Sequence, residues 1–264
     1  MTETSKPVVF VTGAGRGIGK ALALGFAHEG YRVGVGSTTM ARNEAVAASI
    51  AADGGEALPF HVDVAEEQSV TAAVDRIVAR FGRIDVLINN AVLKPGFVTE
   101  PERLLKDLKL PTWERVLDVN LTGAFLCARA CANVMMGQGS GSIINVSTLS
   151  AVNPRASEPA YAVSKAALNM LTKVHAMEVG DHGVAVNAMA VTYTLDADQA
   201  RSVSPERRAR AMRPEAWLPP ALYLAHQTPA ELNGEIIDAM AWNVANGHGG
   251  RDVWSWDAQP TPGG

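Results

Sequence analysis

The chain has little cysteine, no apolar run long enough to cross a membrane, and a small net charge. Its 264 residues include two cysteines, Cys127 and Cys131. Their C-x-x-x-C spacing matches neither a redox C-x-x-C pair nor a zinc pair. Both stand in an apolar helical stretch, which reads as buried free thiols in a reducing, cytoplasmic setting. The six histidines have no metal-ligand spacing and H-E-x-x-H is missing, so no metal site is expected. No apolar run reaches ~18 residues. The first seven residues lack the apolar core of a signal peptide, and no membrane association is expected. A formal net charge of −4 gives no reason to expect nucleic acid or an anionic membrane as partner. The sequons at Asn120 and Asn145 lie in segments that read as buried and make poor glycosylation sites.

What is present is apolar and periodic. Hydrophobic residues make up 47% of the chain, enough for a large core. Short apolar runs alternate with helical patterns. Strands are expected over 8–12, 31–36, 56–62, 85–88, 141–146, 184–188 and 235–238. Helices are expected over 17–29, 41–52, 66–81, 112–136, 158–179 and 214–226. Strongly apolar strands separated by helices predict a parallel sheet covered on both faces. No linker or solenoid repeat interrupts the alternation. The expected fold is one α/β domain over 1–264, a Rossmann-type doubly wound unit with a seven-stranded parallel sheet and a core over about 7–240. From Asn246 onward the chain turns polar and rich in Gly and Pro, so an irregular, non-helical tail is expected over 246–264. Trp254 and Trp256 in that tail read as packing on the body or on a neighbouring subunit.

Thr12-Gly13-Ala14-Gly15-Arg16-Gly17-Ile18-Gly19 joins the first strand directly to a helix. Glycines there permit a tight turn and close approach to a pyrophosphate, and the helix N-terminus offers free N–H groups. Strand before and helix after make this a dinucleotide-binding turn. An acid at the end of the second strand would hold an adenosine ribose and repel a 2′-phosphate. None is present: Ser37, Thr38 and Thr39 stand there, with Arg16 and Arg42 nearby in sequence. That pattern favours NADP over NAD.

Tyr161-Ala-Val-Ser-Lys165 places a phenol and an ammonium at i and i+4 on one helix face. A lysine charge beside a phenol favours the phenolate, which would make Tyr161 a usable proton donor and acceptor near neutral pH.

These motifs together resemble the short-chain dehydrogenase/reductase family over roughly residues 7 to 240. The resemblance rests on Thr12–Gly19, Asp63-Val64 after the third strand, Asn89-Asn90-Ala91 after the fourth, Asn120 in Val119-Asn120-Leu121, and Tyr161-x-x-x-Lys165. It implies a hydride transfer between NADP(H) and a small carbonyl or secondary alcohol. In that scheme Tyr161 exchanges the proton, Lys165 lowers its pKa and binds the nicotinamide ribose, and Asn120 holds a water in the proton path. Gly13, Arg16, Gly17, Ile18, Gly19, Thr38, Asp63, Val64 and Asn90 join Tyr161 and Lys165 in holding the cofactor. A homotetramer, or else a homodimer, built on helices around 124–135 and 162–179 is also implied.

The chain departs from the family pattern at four places. Thr148 stands where the family has its serine, with Ser147 as the reserve candidate for that hydroxyl. Val92 replaces the last glycine of N-N-A-G. Val191-Thr192 replaces the Pro-Gly after the sixth strand, where Thr192 and Thr194 offer hydroxyls. The 92–111 loop is long and is expected to wall the substrate pocket. A second reading, a nucleotide-sensing or regulatory protein that keeps the fold and has lost turnover, draws on these departures; intact Asn120, Tyr161 and Lys165 argue for the enzyme.

Overall fold

The computed structural model describes residues 6–94 and 102–258. The sheet has the order β3-β2-β1-β4-β5-β6-β7, with every pair parallel. Its strands are β1 (Val8–Thr12), β2 (Arg32–Ser37), β3 (Ala57–His61), β4 (Val86–Asn89), β5 (Gly141–Thr148), β6 (Val184–Val191) and β7 (Ile236–Asp238). The inner strands β1, β4 and β6 are buried at every position, as expected for a parallel sheet covered twice.

One face is covered by α3 (Glu67–Phe81), α4 (Leu110–Leu117), α5 (Gly123–Gln138) and α6 (Pro159–Val179). Phe10, Phe60, Ile77, Leu87, Met135 and Ile143 centre that layer. The other face carries α1 (Gly17–His28), α2 (Met40–Ala52) and α9 (Leu218–Ala225) around Phe26, Ile50, Ile88 and Trp217. Each such fully buried side chain contributes roughly 1.5–3 kcal/mol of burial free energy. Cys127 and Cys131 are free and buried in the first layer. Burial pushes both thiols up, Cys127 to about 12, so neither is a nucleophile.

Four differences from the expected elements bear on function. Strands β5 and β6 run further than expected, to Thr148 and Val191, and these two residues pair in register. The expected helix over 112–136 is continuous but not uniform. A π turn at Asp118–Thr122 separates α4 from α5. Leu110–Gln138 is long and apolar enough to cross a membrane, yet more than half of its most apolar stretch is buried against the rest of the fold. The chain after β6 forms short helices, α7 (Ala197–Arg201) and α8 (Pro205–Ala209), that periodicity did not reveal because each is five residues long. The tail is not wholly irregular either. After α10 (Ala239–Ala245), residues Arg251–Trp254 form α11, folded by contacts to the body that lie far away in sequence.

The strand order reverses between β1 and β4. Loops after these strands part there and open a crevice at the carboxyl ends, where ligands bind in such sheets.

Candidate active site

The turn after β1 sits at the edge of this crevice. Gly13 and Gly17 have φ of 65° and 55°, values that disfavour any side chain. Gly19 is bare for a different reason. A Cβ there would overlap the Gly13 carbonyl oxygen and lie 2.5 Å from the Asn90 amide nitrogen. Asn90 causes that closeness. Its Nδ2 donates to the carbonyls of Thr12 (2.9 Å) and Gly13 (3.3 Å). Thr12 returns the link, its hydroxyl accepting from the backbone N–H groups of Asn90 and Ala91, both at 3.0 Å. The turn is thereby laced to the end of β4.

No side chain caps the N-terminus of α1 at Arg16. Its first N–H groups face the crevice with the positive end of the helix dipole, a cradle for a pyrophosphate. The side chains of Arg16 and Arg42 make no hydrogen bond or ion pair with the described residues. Arg42 lies beside the turn: a Cβ on Gly15 would be 3.0 Å from the Arg42 Cβ and 3.1 Å from Ser37 Oγ. Thr38 is exposed next to it. Asp63 accepts from Ala65 N–H (3.0 Å) and pairs with Arg115 at 3.2 Å, while Val64 packs against Gly123.

Tyr161 stands in the first turn of α6, facing the end of β5. Its hydroxyl stands near Thr148, whose Oγ1 accepts from Ser150 N–H at 3.3 Å. Ser147 points elsewhere, donating to Asn169 Oδ1 at 2.6 Å while 1% exposed. Alternation along β5 explains the split, since neighbouring residues face opposite sides of the sheet.

Lys165 is 3% exposed and donates to the Val146 carbonyl at 2.7 Å. Burial without a carboxylate partner lowers its ammonium to about 8. The expected depression of the Tyr161 pKa by Lys165 is not found. Burial pushes the phenol up to about 12, Thr148 pulls it down, and Glu158 pushes it up. Desolvation outweighs the helix-face pairing because Lys165 reaches past the phenol to the strand.

Asn120 lies inside the π turn, 1% exposed. Its Oδ1 accepts from Leu93 N–H at 2.7 Å, and its Nδ2 donates to Leu93 O and Ser164 Oγ, both at 3.1 Å. Ser164 in turn donates to the Tyr161 carbonyl at 2.7 Å. The Asn120 amide is therefore occupied by protein partners and ties the loop after β4 to the π turn and α6. The π turn widens the helix there, a distortion frequent at functional sites.

Sequence patterns did not reveal a buried polar ladder behind this cluster. Asn89 donates to Asn145 Oδ1 (2.9 Å), and Asn145 donates to Thr172 Oγ1 (2.9 Å), linking β4, β5 and α6. Asn145 sat within a recognised motif but gave no sign of this role. Nor was Thr192 distinguished from Thr194. Thr194 is engaged, accepting from Trp217 Nε1 (2.9 Å) and donating to Thr192 O (2.9 Å). Thr192 Oγ1 is buried without a partner just after β6, next to Val191, which pairs with Thr148. A buried hydroxyl left unpaired is costly, so this one suits a ligand group.

A cleft opens on Tyr161, lined by Leu93, Lys94, Leu108, Val116, Ser157 and Pro159 among others. Leu93, Lys94 and Leu108 give the 92–111 loop the wall position expected of it; its residues 95–101 lie outside the described part. Ser157 is the described non-glycine residue with positive φ, at 73°. No group of three or more metal-ligating side chains occurs among the described residues.

An uncapped glycine-rich cradle, a switch-point crevice and a buried Tyr–Lys–Thr cluster define a dinucleotide-dependent dehydrogenase or reductase. The model of the short chain dehydrogenases matches residues 7–208, and the chain belongs to that family. It is 38% identical over 245 residues to a 3-oxoacyl-[acyl-carrier-protein] reductase of Synechocystis, covering 86% of this chain and 96% of the relative. It is 37% identical to the short-chain reductase protein NovJ of Streptomyces niveus, covering 89% and 92%. Among solved structures, a putative NAD(P)-dependent gluconate 5-dehydrogenase from Beutenbergia cavernae, with NADP bound at low occupancy, superposes with a TM-score of 0.79. The two are 31% identical, with 92% and 98% of the chains covered. The chain is thus an NAD(P)-dependent short-chain dehydrogenase/reductase.

Proposed function

We propose that this enzyme interconverts a carbonyl and a secondary alcohol with NADP(H), using Tyr161 as the acid and base. The observation that carries the reading is the Tyr161 phenol. It stands near Thr148, faces the cleft, and has the buried Lys165 ammonium one helical turn behind it. The nicotinamide supplies or accepts the hydride when bound. The protein does the rest. In reduction, Thr148 donates to the carbonyl oxygen and Tyr161 delivers its proton there. Lys165, held to the Val146 carbonyl behind the phenol, would bind the nicotinamide ribose. Asn120 braces Leu93 and, through Ser164, Tyr161 around the cleft. Thr192 offers its unpaired hydroxyl to the carboxamide end of the cofactor.

NADP is favoured because Arg42 stands beside the turn with Thr38 exposed at the end of β2, Arg16 lies in the turn itself, and no acid stands at the end of β2. The apolar side chains Val163, Met170, Val174 and Met177 recur along the exposed face of α6, with Phe125 on α5. Such a stripe supports a homotetramer or homodimer. Two unpaired cysteines suit the cytoplasm.

The test is NADPH oxidation with a panel of aldehydes, diketones and quinones. Wild type is expected to turn over at least one class, with kcat/KM higher for NADPH than NADH. Tyr161→Phe should lower that rate by about 10³-fold, within the range for lost acid–base catalysis, and keep nucleotide binding. Equal turnover in the phenylalanine variant overturns the mechanism, and a preference for NADH overturns the cofactor assignment. A monomer in light scattering overturns the oligomer, and fractionation away from the cytosol the location.

A further inference from the structure

After β6 the chain leaves the sheet as a flap, residues 192–213, which folds back toward the cofactor turn. At its leading corner stands Asp196. One carboxylate oxygen, Oδ1, accepts from Gln199 N–H at 2.9 Å and forms a capping box with that residue. The other, Oδ2, points at the turn and lies 4.0 Å from where a Cβ on Gly17 would stand. Gly17 is the first residue of α1, whose N–H groups have no side-chain cap. Asp196 therefore faces the cradle that receives the pyrophosphate. It has no ion pair within the salt-bridge range, although two cations flank it. Arg16 is adjacent to Gly17. Crowding by surrounding protein and the like charge of Arg16 hold the Lys94 ammonium below its ordinary value, and Asp196 opposes that shift.

A carboxylate facing a helix N-terminus is favourable while the cradle holds no other anion. It becomes unfavourable when a pyrophosphate arrives, because two negative charges then stand at the same helix end. We propose that Asp196 is an affinity-setting residue: its carboxylate stands in for the pyrophosphate in the free enzyme and repels it in the complex. The ligand concerned is the dinucleotide pyrophosphate, common to NAD and NADP. The inference rests on dinucleotide binding but not on the choice between those two cofactors. Its consequence is a weaker hold on the cofactor and faster release, a step that limits turnover in many enzymes.

The experiment is a fluorescence titration of the full chain with NADPH, NADH and ADP-ribose at low and high salt. Asp196→Asn removes the charge and retains a good helix cap. It is expected to tighten all three ligands by on the order of tenfold at low salt. That gain should shrink as salt is raised, since the repulsion is screened. Stopped-flow dissociation of NADPH should slow by a similar factor. Gln199→Ala breaks the capping box and keeps the charge, and should leave affinity unchanged or weaker. Unchanged or weaker binding in Asp196→Asn overturns the proposal. Tightening in Gln199→Ala equal to that in Asp196→Asn also overturns it, because a loosened flap and not the charge would then be responsible. Absence of nucleotide binding by the wild type would instead overturn the dinucleotide reading itself.

Discussion

The glycine-rich turn and the flap face each other across one crevice and are built in opposite ways. The turn is held from within. Asn90 and Thr12 lace it to β4 through four hydrogen bonds, and Gly19 has no room for a methyl group. The flap is held from outside. Its two five-residue helices enclose only a small apolar cluster, Leu195, Ala200 and Ala211, with Val203 and Trp256 packed on it. The C-terminal segment grips its outer edge instead. Arg213 N–H donates to Trp254 O (2.8 Å), Trp256 Nε1 donates to Leu195 O (3.0 Å), and Arg208 pairs with Asp257 (2.8 Å). The difference teaches where precision and movement reside. The cradle is a rigid template. The flap has a small core and many exposed groups, the composition of segments that open at low free-energy cost.

The largest expected effect falls on the rigid side. Gly19→Ala drives a methyl group into the Gly13 carbonyl and the Asn90 amide, both fixed by the lacing. Overpacking of this kind costs roughly 1–3 kcal/mol and displaces the turn. NADPH binding should be lost, with a lower urea midpoint. Normal affinity in that variant would show the turn to be as pliable as the flap. Next comes the hydroxyl pair at the end of β5. Thr148→Ala should lower kcat by about 10²-fold, the range for one lost oxyanion donor or a positioned proton donor. Ser147→Ala should cost far less activity, since that hydroxyl serves Asn169. The reverse order, read by steady-state kinetics, would reassign the carbonyl donor.

A pH effect follows from the buried lysine. Tyr161, pushed up to about 12, stays protonated across the working range, so it does not limit reduction. Lys165, lowered to about 8, loses its charge there and with it its hold on the cofactor ribose. The kcat/KM for reduction should therefore fall as pH rises through about 8. A profile flat to pH 10 would refute this. The sign for stability is opposite. A folded value below the unfolded 10.5 means that the unfolded chain binds more protons between them. Stability from this group thus rises with pH across that window. The increment should vanish from the urea midpoints of Lys165→Met.

Legibility in the sequence followed the same division. Strands β1 and β4 are continuous apolar runs, and Gly13, Gly17 and Gly19 mark a turn that only glycine can make, so the cradle was readable at its correct place. Tyr161, Lys165 and Thr148 were readable because their spacing sets them at the ends of α6 and β5. The π turn at Asp118–Thr122 was not, since a one-residue widening leaves the 3.6-residue period nearly intact. The proton economy was not readable either: burial depends on the whole fold, and it reversed the expected direction for Tyr161. The flap helices and α11 were missed because contacts across 40 to 61 residues create them. Trp256 showed only as a large residue in a polar tail.

Trp256 offers the gentlest test of the contrast. Its indole N–H holds Leu195 O, its backbone N–H donates to Ala211 O at 3.3 Å, and its ring packs on the flap cluster. Trp256→Ala removes the indole contact and the packing while leaving the sheet, the cradle and Tyr161 untouched. If the tail positions the flap, the variant loses grip on ligands more than on chemistry. KM for NADPH and for the carbonyl should rise about three- to tenfold with kcat within about twofold, as when binding common to ground and transition states is lost. The midpoint of urea unfolding should shift by less than in Gly19→Ala, since the partly exposed Trp256 lies outside both main core layers. A variant with unchanged KM would show that the flap holds its place without the tail. One with kcat lowered as far as in Thr148→Ala would show that the tail positions the reacting groups themselves.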